Sequence, residues 1–222
     1  MSKNLRRLIV LTNWGTEKVF WPYYDTLIRH LPAVMTEHDT LLLEGGADIS
    51  PSIYGQPVGR NTYPSALHRD KYEIEAFRRA QSAGASVIGI CRGAQLATAM
   101  LGAPLIQHVE GHEGAGHFLQ LYKQDGALWA NSVHHQMMYP FALAPEEYQL
   151  IGWTAKPCST KYLDGKNQDI SKSLPDNFVE PEIVWYPTIR TLAIQGHPEY
   201  QESGEDFRAY CENLAKELIL NA

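Results

Sequence analysis

Short apolar runs alternate with polar, glycine-rich punctuation along the chain, and their lengths and spacings predict most of its elements. Leu8 to Leu11 is brief and uniformly apolar, the pattern of a buried strand. Between Glu17 and Leu31 aromatic and aliphatic residues recur at helical spacing, which predicts a helix. The stretch "DTLLLEGG" from Asp39 predicts another buried strand, closed by Gly45 and Gly46. Residues 49–68 are rich in Pro, Gly, Ser and Asn and read as a loop. Apolar positions at Tyr72, Ile74, Ala76, Phe77 and Ala80 predict a helix over Arg69 to Ala83. Ser86 to Cys91 reads as a strand and Gly93 to Leu101 as the helix behind it.

Beyond residue 104 the pattern changes. Short apolar runs and polar turns over 104–155 predict a more antiparallel portion, and 156–181 reads as an irregular excursion. Glu182–Tyr186 and Thr191–Gln195 predict two strands joined by a Pro-containing turn. Ser203, followed by Asp206, is the predicted N-cap of a last helix running to Leu220. Strands alternating with helices imply a mainly parallel α/β sheet, in which sites form beyond the carboxyl ends of the strands. Gly45–Gly46, Cys91 and His197 all fall just past predicted strand ends, so the reading converges them on one edge.

Composition narrows the class. A chain of 222 residues suits one large domain or a modest two-lobed one, with ample core, and a single domain is expected. Its net charge of −6, with scattered Lys and Arg, disfavours nucleic acid and anionic membranes as partners. Cys91, Cys158 and Cys211 are sparse and odd in number, without C-x-x-C spacing, which argues against a disulfide framework or a zinc ribbon. The N-terminal apolar stretch is too short for a signal peptide, so a cytoplasmic location is expected.

The segment Gly89-Ile90-Cys91-Arg92-Gly93, between an apolar strand and an Ala-rich helix, has the pattern of a nucleophile elbow with Cys in the serine's place. Glycines on either side allow strand and helix to pack closely, the helix's positive end favours a thiolate, and the Arg92 N–H is left for an oxyanion. A lone buried cysteine would be the bland alternative. A cysteine nucleophile needs a base held by a third group. His197 follows the run Leu192–Ile194, Pro198 fixes the backbone, and Glu199 is two residues on. On spacing alone this reading and a surface His-Pro turn beside an unrelated acid stand level.

"GICRGAQLATAMLG" together with "GHPEY" resembles the class I glutamine amidotransferase-like superfamily, and within it the peptidase C26 branch of γ-glutamyl hydrolases, exemplified by the γ-glutamyl-γ-aminobutyrate hydrolases. "LLLEGGADISPSIYG", "RDKYEIEAFRRA" and "SVHHQMM" are similar to further stretches of that branch, in the same order along the chain. The resemblance implies a flavodoxin-like three-layer α/β sandwich with a smaller antiparallel portion. It implies Cys91 as nucleophile, His197 and Glu199 completing a triad, and the N–H groups of Gly46 and Arg92 as an oxyanion hole. It further implies that Gln95, Gln107, Ser132, His134, His135 and Gln136 bind a small γ-glutamyl substrate or glutamine, with no cofactor. One departure is Gly196, where the family commonly has Trp, a loss of bulk expected to reshape the pocket.

Three functions follow: a stand-alone γ-glutamyl hydrolase, a glutaminase supplying ammonia to a separate synthetase, and a silent binding protein on the same fold. The histidine-rich "QHVEGHEGAGH" invites a metal site from His108, His112 and His117 with Glu110 and Glu113. Its spacing fits no zincin helix and its glycines oppose any helix, so a flexible loop over the active site is expected and no metal. Asp70, Glu73 and Glu75, among Arg69, Lys71, Arg78 and Arg79, read mainly as a solvated helix face, with Asp70 and Glu73 as candidates for a structural contact near the elbow. The run "FWPYYD" reads as core plus loop; a homodimer contact there has no support in the sequence.

Overall fold

The computed structural model describes residues 5–64, 67–114 and 116–221. Residues 65 and 66 of the predicted loop, Ala115 of the histidine-rich stretch and the first four residues of the N-terminal segment lie outside them. The strands are β1 (Arg7–Val10), β2 (Thr26–Ile28), β3 (Asp39–Leu43), β4 (Ser86–Ile90), β5 (Leu105–Ile106), β6 (His108–Val109), β7 (His117–Leu121), β8 (Ala127–Ala130), β9 (Met137–Met138), β10 (Gln149–Thr154), β11 (Tyr162–Leu163), β12 (Pro181–Tyr186) and β13 (Thr191–Ile194). The helices are α1 (Glu17–Phe20), α2 (Leu67–Ser82), α3 (Arg92–Met100) and α4 (Gly204–Ala215), the last running on into a π-helical turn, Lys216–Leu220.

Among the described residues, nine strands form one sheet in the order β2-β1-β3-β4-β13-β12-β10-β7-β8. The β2-to-β13 half is parallel and the β13-to-β8 half antiparallel. The parallel strands are near-continuous apolar runs because both faces are covered. Leu8, Val10, Ile88, Ile90, Leu192 and Ile194 pack on one face with Phe207, Cys211 and Leu214 of α4. Ile9, Leu41, Leu43 and Val87 face the other way onto Ala76, Phe77 and Ala80 of α2 and Leu96 and Ala97 of α3. The result is the mainly parallel α/β sandwich with an antiparallel extension that the pattern predicts. Among the described residues no helix is long and apolar enough to cross a membrane.

The predicted helix over Glu17–Leu31 is not one helix. It stops at Phe20, becomes a 3-10 turn over Trp21–Tyr23, and then turns extended. Pro22 is the cause, since a proline inside an α-helix loses a hydrogen bond and collides with the carbonyl four residues back. Thr26, Leu27 and Ile28 instead pair in parallel with β1 as an edge strand.

Candidate active site

β3, β4 and β13 are adjacent and parallel, so their carboxyl ends deliver Gly45–Gly46, Cys91 and His197 to one place. Cys91 adopts φ 50° and ψ −108°, a conformation that side chains rarely take and that costs on the order of 1–3 kcal/mol. Close packing holds it there. A Cβ on Gly89 would lie 2.6 Å from the Gly93 carbonyl oxygen, and one on Gly93 would lie 2.2 Å from the Leu43 carbonyl oxygen. The Cys91 N–H donates to the Ile194 carbonyl at 2.7 Å, and its carbonyl accepts from the Gln95 N–H at 3.1 Å. Arg92 opens α3, so its N–H is in the first helical turn, where no intrahelical acceptor exists.

The His197 ring is clamped on several sides. Nδ1 lies 2.8 Å from Glu199 Oε1, the backbone N–H donates to Asn131 Oδ1 at 2.8 Å, and the carbonyl accepts from Ser203 Oγ at 2.6 Å. Tyr200 stacks on the imidazole with centroids 4.4 Å apart. Thr16 Oγ1 donates to Glu199 Oε1 at 3.0 Å, and the Thr16 N–H donates to buried Glu44. Burial disfavours the His197 imidazolium, but hydrogen bonding to Cys91 and Glu199 and the negative charge on both outweigh it, raising its pKa to about 10. Ser203 occupies the N-cap position of α4, as expected, but its hydroxyl does not bond to the helix and donates to the His197 carbonyl instead.

Asp70 and Glu73 are not on a solvated face. Both are buried, and both pair with the Arg92 guanidinium, which has no exposed surface. Arg69 pairs with Glu73 at 2.9 Å and donates to the Gly45 carbonyl at 2.7 Å. The Arg69–Asp70–Glu73 pattern is thus a brace beneath the elbow and behind the Gly45–Gly46 turn. Gly46 has φ 131°, and a Cβ there would meet Arg69 Nη1 at 2.2 Å.

Beside the Cys91 thiol is a cavity of about 210 Å³ bounded by Gly46, Asp48, Tyr63, Gln95 and the segment Val133–Gln136. Gln95, His134, His135 and Gln136 accordingly reach the cavity wall. Asp48, not singled out by the sequence, lies 3.2 Å from His135 Nε2 and holds the Tyr63 N–H at 2.7 Å. Burial works against protonation of His135, and Asp48 overrides it and raises the pKa. Gln136 Oε1 is buried without a hydrogen-bond partner.

Two expected substrate residues are placed elsewhere. Gln107 Oε1 accepts from Gly59 N and Thr62 Oγ1, and its Nε2 donates to Gln56 and Pro57, so the side chain staples the 56–62 loop from behind. Ser132 donates to the His112 carbonyl at 2.6 Å and borders a second cavity of about 470 Å³, with Gly116, Asn131, Tyr200 and Glu202. The loss of bulk at Gly196 leaves no void: a Cβ there would meet Phe207 and the Asn131 carbonyl at 3.1–3.3 Å.

The histidine-rich stretch is no loop over the site. Val109 pairs with Tyr162, and His112 is fully buried. His108 turns towards His135, its ring 5.8 Å away. His112 and His117 instead meet His134, from the segment after β8, around Glu182 of β12. Among the described residues, two sets have ligand atoms close enough to share a metal ion: His112–Cys158–Glu180 and His112–His117–Glu182. Burial alone would keep Glu182 protonated, but the three histidines hold its pKa well below the ordinary range.

A sequence profile of the peptidase C26 family matches residues 10–199. Rv2859c of Mycobacterium tuberculosis, provisionally named a glutamine amidotransferase, is 30% identical over 209 residues, covering 90% of this chain and 62% of that protein. A YvdE homolog of Lactococcus lactis, provisionally named glutamine amidotransferase-like, is 28% identical over 133 residues, covering 51% of this chain and 69% of its own. Among solved structures, a glutamine amidotransferase from Thermotoga maritima aligns with TM-score 0.55 at 16% identity over 99% of this chain and 90% of its own. PurLQS from the same organism aligns with TM-score 0.61 at 14% identity over 98% of each chain.

Proposed function

Because the chain belongs to the peptidase C26 family, whose glutamine amidotransferase-like character points to chemistry on amide bonds, we propose that it hydrolyses the γ-glutamyl amide bond of small γ-glutamyl compounds through a thioester on Cys91. The observation that carries the reading is the strained Cys91 elbow just past β4, set beside a His197–Glu199 pair just past the end of the neighbouring strand β13. A cavity of about 210 Å³ is smaller than the roughly 300–1,000 Å³ of drug-sized sites. It suits an amino-acid end held inside, with the leaving amine outside. Asp48 and the unpartnered Gln136 Oε1 offer acceptors to an α-ammonium, and His135 offers a donor to an α-carboxylate.

In this mechanism the Cys91 thiolate attacks the γ-carbonyl carbon. The Gly46 and Arg92 N–H groups receive the oxyanion, a contribution of about 3–4 kcal/mol per donor in comparable sites. His197 enters protonated and gives its proton to the departing amine as the C–N bond breaks. The neutral imidazole then takes a proton from water, which attacks the thioester and frees glutamate and the thiolate. Glu199 and Thr16 fix the ring's tautomer and angle.

A second reading is a glutaminase delivering ammonia to a separate synthetase. It is favoured by the fold likeness to a protein from Thermoplasma acidophilum that is provisionally described as a GMP synthase subunit (TM-score 0.58, 15% identity, 99% of this chain and 96% of that one). The test is glutamate release by the purified chain from glutamine, γ-glutamyl-γ-aminobutyrate, γ-glutamyl-polyamines and γ-glutamyl dipeptides, with Cys91→Ala as control. Release from the amines or dipeptides, abolished by Cys91→Ala, supports the hydrolase. Silence on these, with weak glutaminase activity, transfers the assignment to the partner-dependent reading.

A further inference from the structure

We propose that His112, His117 and Glu182 form a binding site for one late first-row divalent cation, zinc above all, in the wall between the catalytic cavity and the antiparallel half of the sheet. Glu182 is 1% exposed, and neither of its oxygens accepts a hydrogen bond. A buried carboxylate left in that state is costly unless it is paired or coordinates a metal. Three ring nitrogens crowd one of its oxygens: His117 Nε2 at 3.1 Å, His134 Nε2 at 3.4 Å and His112 Nδ1 at 3.5 Å from Oε1. None of these approaches has the alignment of a hydrogen bond, and both nitrogens of His117 and Nε2 of His134 are buried without a partner. The ligand atoms of His112, His117 and Glu182 all lie within 4.8 Å of one another, close enough to share one ion, and the Ser132 hydroxyl stands 3.4 Å from His112 Nδ1.

The spacing fits a metal between them. With metal–ligand bonds of about 2.0–2.1 Å, the edges of a tetrahedron are about 3.3–3.4 Å. The distances from Oε1 to the two ligating nitrogens, 3.1 and 3.5 Å, bracket that edge. The alternative set through Cys158 and Glu180 is the weaker one. Glu180 already accepts from Thr154, the Cys158 N–H, the Ser159 N–H and Tyr162. Its Oε2 stands 3.3 Å from His112 Nε2, the far nitrogen of the ring, which is the place of the carboxylate that orients a metal-bound histidine. A dication, with Glu182 bound to it and Glu180 behind His112, would balance both buried negative charges. The fourth corner is left to water or to the adjacent His134.

A second cavity comes close to the ligands. Ser132 and Gly116, neighbours of His112 and His117, border the cavity of about 470 Å³. Because His134 and His135 line the catalytic cavity, a cation here would brace that wall. Imidazole and carboxylate donors together suit zinc, cobalt or nickel better than calcium or magnesium.

The experiment uses the full chain carrying Cys91→Ala, so that the active-site thiol contributes nothing. After chelator treatment and dialysis, zinc is titrated against a chromophoric chelator, and cobalt is followed by its visible spectrum. The expected result is one equivalent bound, with the intense bands of four-coordinate cobalt. His117→Gln and Glu182→Gln should each weaken zinc about 100-fold or more, while His108→Gln, whose ring faces away from the cluster, should leave it unchanged. Binding well below one equivalent, binding indifferent to both ligand variants, or a weak six-coordinate cobalt spectrum would overturn the site. The cobalt spectrum needs no ligand variant, so it decides the matter even if Glu182→Gln does not fold.

Discussion

Gly45→Ala should separate geometry from stability at the candidate site. Gly45 lies outside the left-handed region, so its backbone accepts alanine without strain. Its new Cβ, however, would sit 2.5 Å from His197 Cε1 and 3.3 Å from Nε2. Carbon atoms in contact want about 3.5–4.0 Å, so the imidazole must retreat by about 1 Å. It cannot retreat freely, because Glu199, Asn131, Ser203 and Tyr200 hold it. A displacement of that size costs about 100-fold in rate, equivalent to about 2.7 kcal/mol of barrier. Turnover of the best γ-glutamyl substrate should fall by that factor, and alkylation of Cys91 by limiting iodoacetamide should slow with it. The melting temperature should move by no more than about 3 °C. If turnover and alkylation both stay at wild-type rates, His197 is not the ring that serves Cys91, and the assignment fails.

Other expectations follow from the same contacts. Limiting iodoacetamide at neutral pH should label Cys91 before Cys158 and Cys211, because burial, then nearby carboxylates, push Cys158 up to about 11 and Cys211 well above its ordinary value; equal labelling by peptide mass spectrometry would contradict this. His197 is raised from 6.5 to about 10, so its imidazolium stabilises the fold in full below about pH 6.5 and progressively less as the pH climbs through 10. Urea unfolding should show that decline beginning at lower pH in Cys91→Ala, and superimposable pH profiles would refute it. Arg92→Met should lower the unfolding free energy by about 3–5 kcal/mol, because it strips the cation from buried Asp70 and Glu73; a loss under 1 kcal/mol in denaturant melts would show the brace to be dispensable. Ser203→Ala should cost about 1 kcal/mol and reduce kcat more than it raises KM, since its hydroxyl donates to the His197 carbonyl.

The strands of the parallel half were legible because each is buried on both faces and so is apolar throughout, as "DTLLL" and "SVIGI" are. The elbow was legible because its chemistry is local, one strand turning into one helix around a cysteine. Contacts between distant segments were not. The sequence marked Asp70 and Glu73 for a structural contact near the elbow but not that their counter-charge is the Arg92 side chain, nor does the 104–117 stretch reveal that His112 and His117 meet a carboxylate on β12. Gln107 misled for the opposite reason, since an amide in a suggestive segment can spend every hydrogen bond on its own protein. Asn131 stood beside the quoted "SVHHQ" segment and gave no sign that it fixes the backbone of His197.

The place of β13 in the sheet has a consequence for how the protein comes to life. It slots between β4 and β12, bringing Gln195 against Gln95, 100 residues earlier in the chain. Contacts of such range are slow to form, since a long loop must close before they return any energy. One of the bonds that hold Cys91 in its strained conformation is to Ile194 of β13 itself. Until β13 is made and joins the sheet, Cys91 lacks the Ile194 hydrogen bond and, on the proposed assignment, has no base beside it. If Cys91 and His197 act as proposed, chemical competence arrives only with closure of the sheet around β13.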